Sequence, residues 1–262
     1  MVRHVFAERV TRRVKLSGLE VAFLETLEAR SMTLPRHRML VRAGDPADEA
    51  FVLKSGWAMS FTRFGDGSRQ VRRLHFPGDL IAMPSVPLRR HAEDVETLSQ
   101  VSVAPFDKRL LGGLFRYPRL AALMFMFAQA ERISSGDRLS CVGRVPAKGR
   151  MAYLLLDILD RLRGVDETMG RPFRMHLTRE QMADVVGMTA VHASRMWSEL
   201  LAEGAIRCEA GVVTILDEER LRALSGYVDR GRELDFGWLA CVSPSEPGGD
   251  APAAAHEPEL TT

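Results

Sequence analysis

Apolar positions change their spacing along the chain, and three textures follow one another. Within residues 19–30, Leu19, Phe23, Leu24 and Leu27 recur at helical spacing and predict a short amphipathic helix. Past Pro35 the apolar residues fall into short runs at 39–41, 50–53, 57–64 and 70–76, and the same texture returns at 95–106. Gly44, Gly56, Gly67 and Gly78 punctuate these runs every 11 or 12 residues, the length of a strand plus a tight turn. The pattern predicts an antiparallel barrel or sandwich.

A long helix follows over 117–142. Leu120, Leu123, Met124, Phe127, Glu131 and Ser134 share one face, and Ala121, Phe125, Ala128 and Arg132 share another. Its first half is apolar nearly all round, so it needs cover on more than one side. Packing against the β domain and a partner's helix meets that need, and so does burial inside one monomer. Periodicity leaves both open. Residues 142–146, Val-Gly-Arg-Val-Pro, interrupt the pattern as a hinge would. A second helix is predicted over 147–163 through Met151, Leu154, Leu155, Ile158, Leu159 and Leu162. A connector at 164–172 then leads to a short strand at 173–177.

Residues 177–201 carry the sharpest local signal. Thr178 followed three residues later by Gln181 is a capping box that opens a short helix. Gly187 ends it with a residue free to take positive φ. Thr189 caps a second helix whose inner face is Ala193, Met196, Trp197 and Leu200. Ala183 is small where the two helices must cross. Together these features describe a helix-turn-helix. Residues 205–208 and 212–215, around Gly211, add a β-hairpin wing.

Composition narrows the class. The 262 residues are 46% hydrophobic and 27% charged, which fits a soluble globular protein and excludes a disordered or fibrous one. A net charge of +2 offers no bulk electrostatic case for nucleic acid, membrane or acidic substrate. The charge is uneven: nine Lys/Arg against four Glu make residues 1–44 +5, while residues 243–262 are −4. Residues 146–228 hold eleven Lys/Arg and twelve Asp/Glu, a net of −1. Because DNA affinity rests on neutralising phosphates, cations there must share one face. Arg179 and Arg195, with Arg174 and Lys148, are the candidates. Cys141, Cys208 and Cys241 lie in no metal-ligand or redox spacing and read as reduced thiols. The first ten residues lack a signal-peptide core, and the apolar run at 120–130 is shorter than the roughly 20 residues a membrane span needs. A cytoplasmic protein with no membrane partner is expected. The last twenty residues, rich in Pro, Gly and Ala, are expected to be disordered.

Over residues 20–225 the order of these motifs resembles the Crp/Fnr family of transcription regulators. The resemblance rests on the glycine-punctuated β segment through Phe76-Pro-Gly-Asp-Leu80, the long helix, Gly149-Arg-Met-Ala152 after the hinge, and the 177–201 element. It implies an α+β chain. An N-terminal antiparallel β-roll of cupin-like, cyclic-nucleotide-binding-domain type would occupy 1–116, and a dimerisation helix 117–142. A winged helix-turn-helix would occupy 143–228, with an extension from 229 that is disordered from about 243. It further implies a homodimer on a roughly palindromic double-stranded DNA site, and RNA polymerase as a partner. Arg179, Thr189, Ala190, Val191, His192, Ser194 and Arg195 would form the DNA-binding set. In it, Thr189 and His192 match phosphate-contacting positions, and Ala190, Val191 and Arg195 match base-reading ones. Many members carry Glu where Val191 stands; valine cannot accept from cytosine N4 but can pack on a thymine methyl.

In the sensory part, Gly78, Asp79 and Leu80 match the family's ligand-binding positions, and Arg89 and Arg90 lie close enough to the arginine position that a one-residue shift would supply the cation. Asp79 is one methylene shorter than the family's glutamate, His91 stands at the arginine position, and Glu93 and Asp94 would repel a phosphate. Cyclic nucleotide is therefore disfavoured. An iron–sulfur cluster needs four thiolates and is excluded by a cysteine count of three. Haem stays open, with His37, His75, His91 or Cys141 as imaginable axial ligands, and no cofactor is expected. No His-x-His pair, nucleophilic triad, phosphate loop or dinucleotide fingerprint occurs, so an enzyme is not expected. Two other classes remain: a ligand-sensing or protein-interaction module without DNA binding, and a barrel enzyme with a helical appendage. Phe236, Trp238 and Leu239 lie beyond the resemblance, free to dock on the body or on another subunit.

Overall fold

Alternating apolar positions and tight turns produce two four-stranded antiparallel sheets. The structure is a computed structural model in which residues 3–165 and 172–242 are described. The expected tail disorder and most of the 164–172 connector lie outside those residues. The strands of the first part are β1 (Met32–Leu34), β2 (Met39–Val41), β3 (Glu49–Ser55), β4 (Ala58–Arg63), β5 (Arg69–His75), β6 (Leu80–Ile81), β7 (Asp94–Thr97) and β8 (Val101–Asp107). One sheet runs β1-β8-β3-β6 and the other β2-β7-β4-β5. The single β stretch expected at 95–106 is thus two strands in different sheets, parted at Leu98–Gln100. Two helices precede the roll, α1 (Val5–Thr11) and α2 (Gly18–Thr26), the second shorter than the 19–30 span expected.

Helix α1 carries no sequence pattern strong enough to foresee it. The fully buried Glu28 holds its N-terminus, its Oε1 accepting from the amides of Phe6 and Ala7 at 2.9 and 3.0 Å. Phe6, Ala7 and Val10 then seal one end of the roll against Val52, Phe106 and Leu123.

A 3₁₀ segment (Lys108–Arg116) feeds α3 (Pro118–Arg144), which breaks only at Val145–Pro146, so the hinge is narrower than 142–146. Leu120 and Leu123 on its first predicted face are buried against the roll. On the second face Phe125 is 62% exposed, and Leu139, about four turns further along the same stripe, is 75% exposed. After the hinge come α4 (Ala147–Val165), β9 (Phe173–Arg174), α5 (Arg179–Val186), α6 (Ala190–Ala202), β10 (Ile206–Glu209), β11 (Val212–Ile215) and α7 (Glu218–Ser225). Gly149 lets α4 and α7 meet, since a Cβ there would sit 2.3 Å from the Leu224 carbonyl oxygen.

One core joins the two parts. Trp57, Phe61 and Phe76 of the roll belong to the same buried cluster as Met151 and Ile158 of α4, Met182 of α5 and Trp197 of α6. Trp57 meets Phe76 edge-on at 4.8 Å. Beside this apolar seam lies a buried polar centre. His75 Nε2 is 2.6 Å from Ser60 Oγ, and among the described residues its Nδ1 has no partner. Burial, reinforced by Arg73, lowers the His75 pKa to about 3. Folded protein therefore keeps His75 neutral where the unfolded chain would protonate it. Stability should fall by up to about 1.4 kcal/mol per pH unit as pH drops from 6.5 toward 3. Urea unfolding across that range should show the decline, and His75→Gln, which retains a polar group for Ser60, should flatten it above pH 4.

Candidate nucleic-acid interface

The helix-turn-helix forms through the local bonds its sequence specifies. Thr178 Oγ1 accepts from the Gln181 amide at 3.1 Å, and Gln181 Oε1 accepts from the Thr178 amide at 2.9 Å. Gly187 takes φ +65°, and Thr189 caps α6 by accepting from the His192 amide. Ala193, Met196, Trp197 and Leu200 turn inward, leaving Ala190, Val191, His192 and Arg195 exposed on the outer face of α6. Val191 is 83% exposed, an apolar side chain held out to solvent. Ser194 is half-buried. Strands β10 and β11 pair as the wing and extend through β9 into a three-stranded sheet.

The expected cations do not all reach this face free. Arg195 remains exposed but its Nε donates to Glu199 at 3.1 Å. Lys148 is bound by Glu199 and Glu203 at 3.0 and 2.6 Å. Arg179 is half-buried, its guanidinium 3.9 Å from the Trp197 ring centre, and burial lowers its pKa. Its first role is therefore to brace α5 on α6. Arg174 on β9 and Arg207 on the wing are exposed.

Sequence reading missed the grip of the roll and of α4 on this element. Gln70 Nε2 donates to the carbonyls of Asp184 and Val185, at 2.8 and 3.2 Å. Arg150 donates to those of Val186 and Gly187, at 3.1 and 3.0 Å. These are the carbonyls that the end of α5 leaves without helical partners. Arg69 adds an ion pair to Asp184 at 2.8 Å.

The residues expected to form a ligand site are not brought together. The Asp79 carboxylate, 2% exposed, accepts from the Phe76 amide at 2.9 Å and from Arg9 and Arg161 at 2.7 and 2.5 Å, with Arg73 at 3.6 Å. Burial alone would raise its pKa; the guanidinia of Arg161, Arg73 and Arg9 outweigh that and hold it far below the usual carboxylate range. Gly78 and Leu80 line a cavity beside it, but Arg89 and Arg90 do not, and Arg90 donates to the Gly44 carbonyl at 2.7 Å. His37 pairs with Glu96, and none of His37, His75 or His91 lines that cavity. Burial pushes the Cys141 thiol up to about 11. Among the described residues no group of three or more His, Cys, Asp or Glu is placed to hold a metal ion, and no helix is long and apolar enough to cross a membrane.

Comparison with known proteins agrees with this geometry. The Crp-like helix-turn-helix domain family matches residues 149–224, and the Cyclic nucleotide-binding domain family matches residues 31–117. The Anaerobic regulatory protein of Haemophilus influenzae is 25% identical over 216 residues, covering 80% of this chain and 82% of that protein. The Fumarate and nitrate reduction regulatory protein of Salmonella typhimurium is 23% identical over 215 residues, covering 81% and 85%. FixK2 of Bradyrhizobium japonicum shares the fold with a TM-score of 0.68 at 21% identity, over 76% of this chain and 98% of its own. The chain belongs to the Crp/Fnr family. It is a DNA-binding transcription regulator of the Crp/Fnr type. Both matched domains of this Crp/Fnr protein leave out α1 and everything after α7.

The turn between α5 and α6 allows one direct check. A Cβ at Gly187 would sit at positive φ and 3.0 Å from Val142 Cγ1 of α3. Gly187→Ala should cost about 1–2 kcal/mol of stability, read from urea unfolding.

Proposed function

We propose that this regulator binds a roughly palindromic DNA site as a homodimer, with α6 of each copy in the major groove. The observation that supports this best is the outer face of α6, where Ala190, Val191, His192 and Arg195 stand exposed together around a capped N-terminus. Thr189 and His192 meet phosphates, Ala190 and Val191 meet base edges, and Arg195 releases Glu199 to reach a guanine or phosphate. Arg179 and Ser194 support that face from behind. A valine at the centre of it favours thymine methyls over cytosine amines. With residues 146–228 near neutral, binding rests on site-specific contacts more than on bulk charge.

The dimer seam is the outward stripe of α3. Ala121, Phe125, Ala128, Arg132, Ser135 and Leu139 alternate at spacings of four and three, which is how a coiled-coil seam is laid out. Among the described residues nothing covers its large apolar members, Phe125 and Leu139. The protein acts in the cytoplasm by binding, not by catalysis, with RNA polymerase as its downstream partner. It carries no iron–sulfur cluster, because three cysteines on α3, the wing and the C-terminal segment do not supply four thiolates. It does not respond to a cyclic nucleotide through Asp79, whose carboxylate already has its partners.

Selection of bound sequences from random DNA should return a two-fold site with half-sites about one helical turn apart. Arg195→Ala should lose affinity for that site by roughly tenfold or more, a change of about 1–3 kcal/mol, while its sedimentation stays that of the wild type. Full site-specific affinity in the variant would remove Arg195 from the recognition face. Phe125→Asp combined with Leu139→Asp should sediment as a monomer; a dimer would place the seam elsewhere.

A further inference from the structure

Beyond α7, outside both matched domains, the chain returns to the sensory part. Tyr227 begins this return inside the core that holds α4 and α6, its ring edge-on to Tyr153 of α4 at 4.9 Å. Arg230 then donates twice to Asp137 of α3, from Nε at 2.7 Å and from Nη2 at 3.3 Å. Arg13 of α1 donates to the Gly231 carbonyl at 3.4 Å. Asp235 accepts from the Gly237 amide at 2.7 Å and opens a 3₁₀ turn (Gly237–Cys241) that packs on α3. Leu239 in that turn is 1% exposed, within the core that holds Phe6 and Val10 of α1, Phe106 of β8 and Leu123 of α3. Phe236 packs against the same core. Both residues therefore dock on the body of their own chain, while Trp238 stays exposed.

The segment gives the DNA-binding part a second attachment, the first being the chain itself at the Val145–Pro146 break. A body held at one hinge pivots in every direction, whereas one held at two points turns only about the line joining them. Helix α7, from which the segment leaves, is bonded to α4 through Arg163 to Glu218 at 2.8 Å and Arg222 to Asp160 at 2.7 Å. Helix α4 in turn packs under α6. The attachment therefore reaches the recognition helix through two rigid neighbours. It does not mask that helix: Ala190, Val191, His192 and Arg195 remain exposed. What it governs is where α6 is held.

We propose that residues 227–242 are a strap that fixes the pose of α6 for a two-fold DNA site, a role that rests on the dimeric DNA-binding reading above. Once one α6 of the dimer is seated, the other meets its half-site as an intramolecular partner. Its effective concentration there is highest when its position is held. A loosened strap spreads that position, so binding to the paired site weakens while the contacts within a single half-site are untouched. Because the strap is the chain's own end, the pose is held without a ligand.

Two full-length variants test the strap. Leu239→Asp places a charge in the buried position, and Arg230→Ala removes the tie to Asp137 without entering the core. Each is titrated with a duplex carrying both half-sites and with one carrying a single half-site. The paired site should bind Leu239→Asp about tenfold or more weaker and Arg230→Ala about threefold weaker, with the single half-site within about twofold of wild type for both. Without DNA, trypsin should cut after the exposed Arg144, beside the break, at least about fivefold faster in both variants, as followed by mass spectrometry well below their melting temperatures. If Leu239→Asp does not fold, Arg230→Ala decides alone. A wild-type protein that binds no DNA removes the DNA-binding reading, and the cleavage rates then decide the strap by themselves. Cleavage at the wild-type rate overturns the strap. So does tighter binding of the variants to the paired site, or an equal loss on paired and single sites.

Discussion

One buried carboxylate sets the arrangement of the whole molecule. Asp79 is withdrawn from water, where a lone charge is untenable, and is held by guanidinia from α1, β5 and α4. Those three elements must keep their positions if the charge is to stay compensated. Arg73 passes the constraint on to Glu131, and through it to α3. The sensory roll, the long helix and the DNA-binding part are thus registered against one another by a polar cluster, while the shared apolar core supplies adhesion. Losing the acid would strand three cations, which is why this point tolerates less change than the apolar contacts around it.

What could be read from sequence follows from how local the causes are. The helix-turn-helix was legible because its capping box, turn glycine and inner-face residues act over three or four positions. The β-roll was legible because glycines punctuate it. Asp79 was not: the two arginines that hydrogen-bond it, Arg9 and Arg161, lie 70 and 82 positions away, so the Gly-Asp pair read instead as part of a ligand site. Arg179 went astray for the same reason, since the ring it stacks on belongs to the next helix. Helix α7 escaped notice because only Leu221 and Ser225 of its eight residues are buried, too few to set a period. The two faces of α3 were visible in its spacing, and only the fold showed which of them turns inward.

Charge in the DNA-binding part is arranged in closed circuits. Arg195 and Lys148 both lean on Glu199, and Arg220 and Lys148 on Glu203. A phosphate approaching α6 competes with carboxylates already in place, so each contact is an exchange of partners. Such an interface discriminates through geometry, because only a correctly placed acceptor outweighs the one given up.

Helix α3 runs unbroken for 27 residues, a rod of about 40 Å. Its first turns are gripped by the roll and its far end abuts Gly187 through Val142. A rod so mounted is a lever. A tilt of about 5° at the gripped end displaces the other by roughly 3–4 Å, on the scale of the spacing between neighbouring base pairs. Small rearrangements inside the roll thereby become changes in groove register, with the stiffness of the helix as the amplifier.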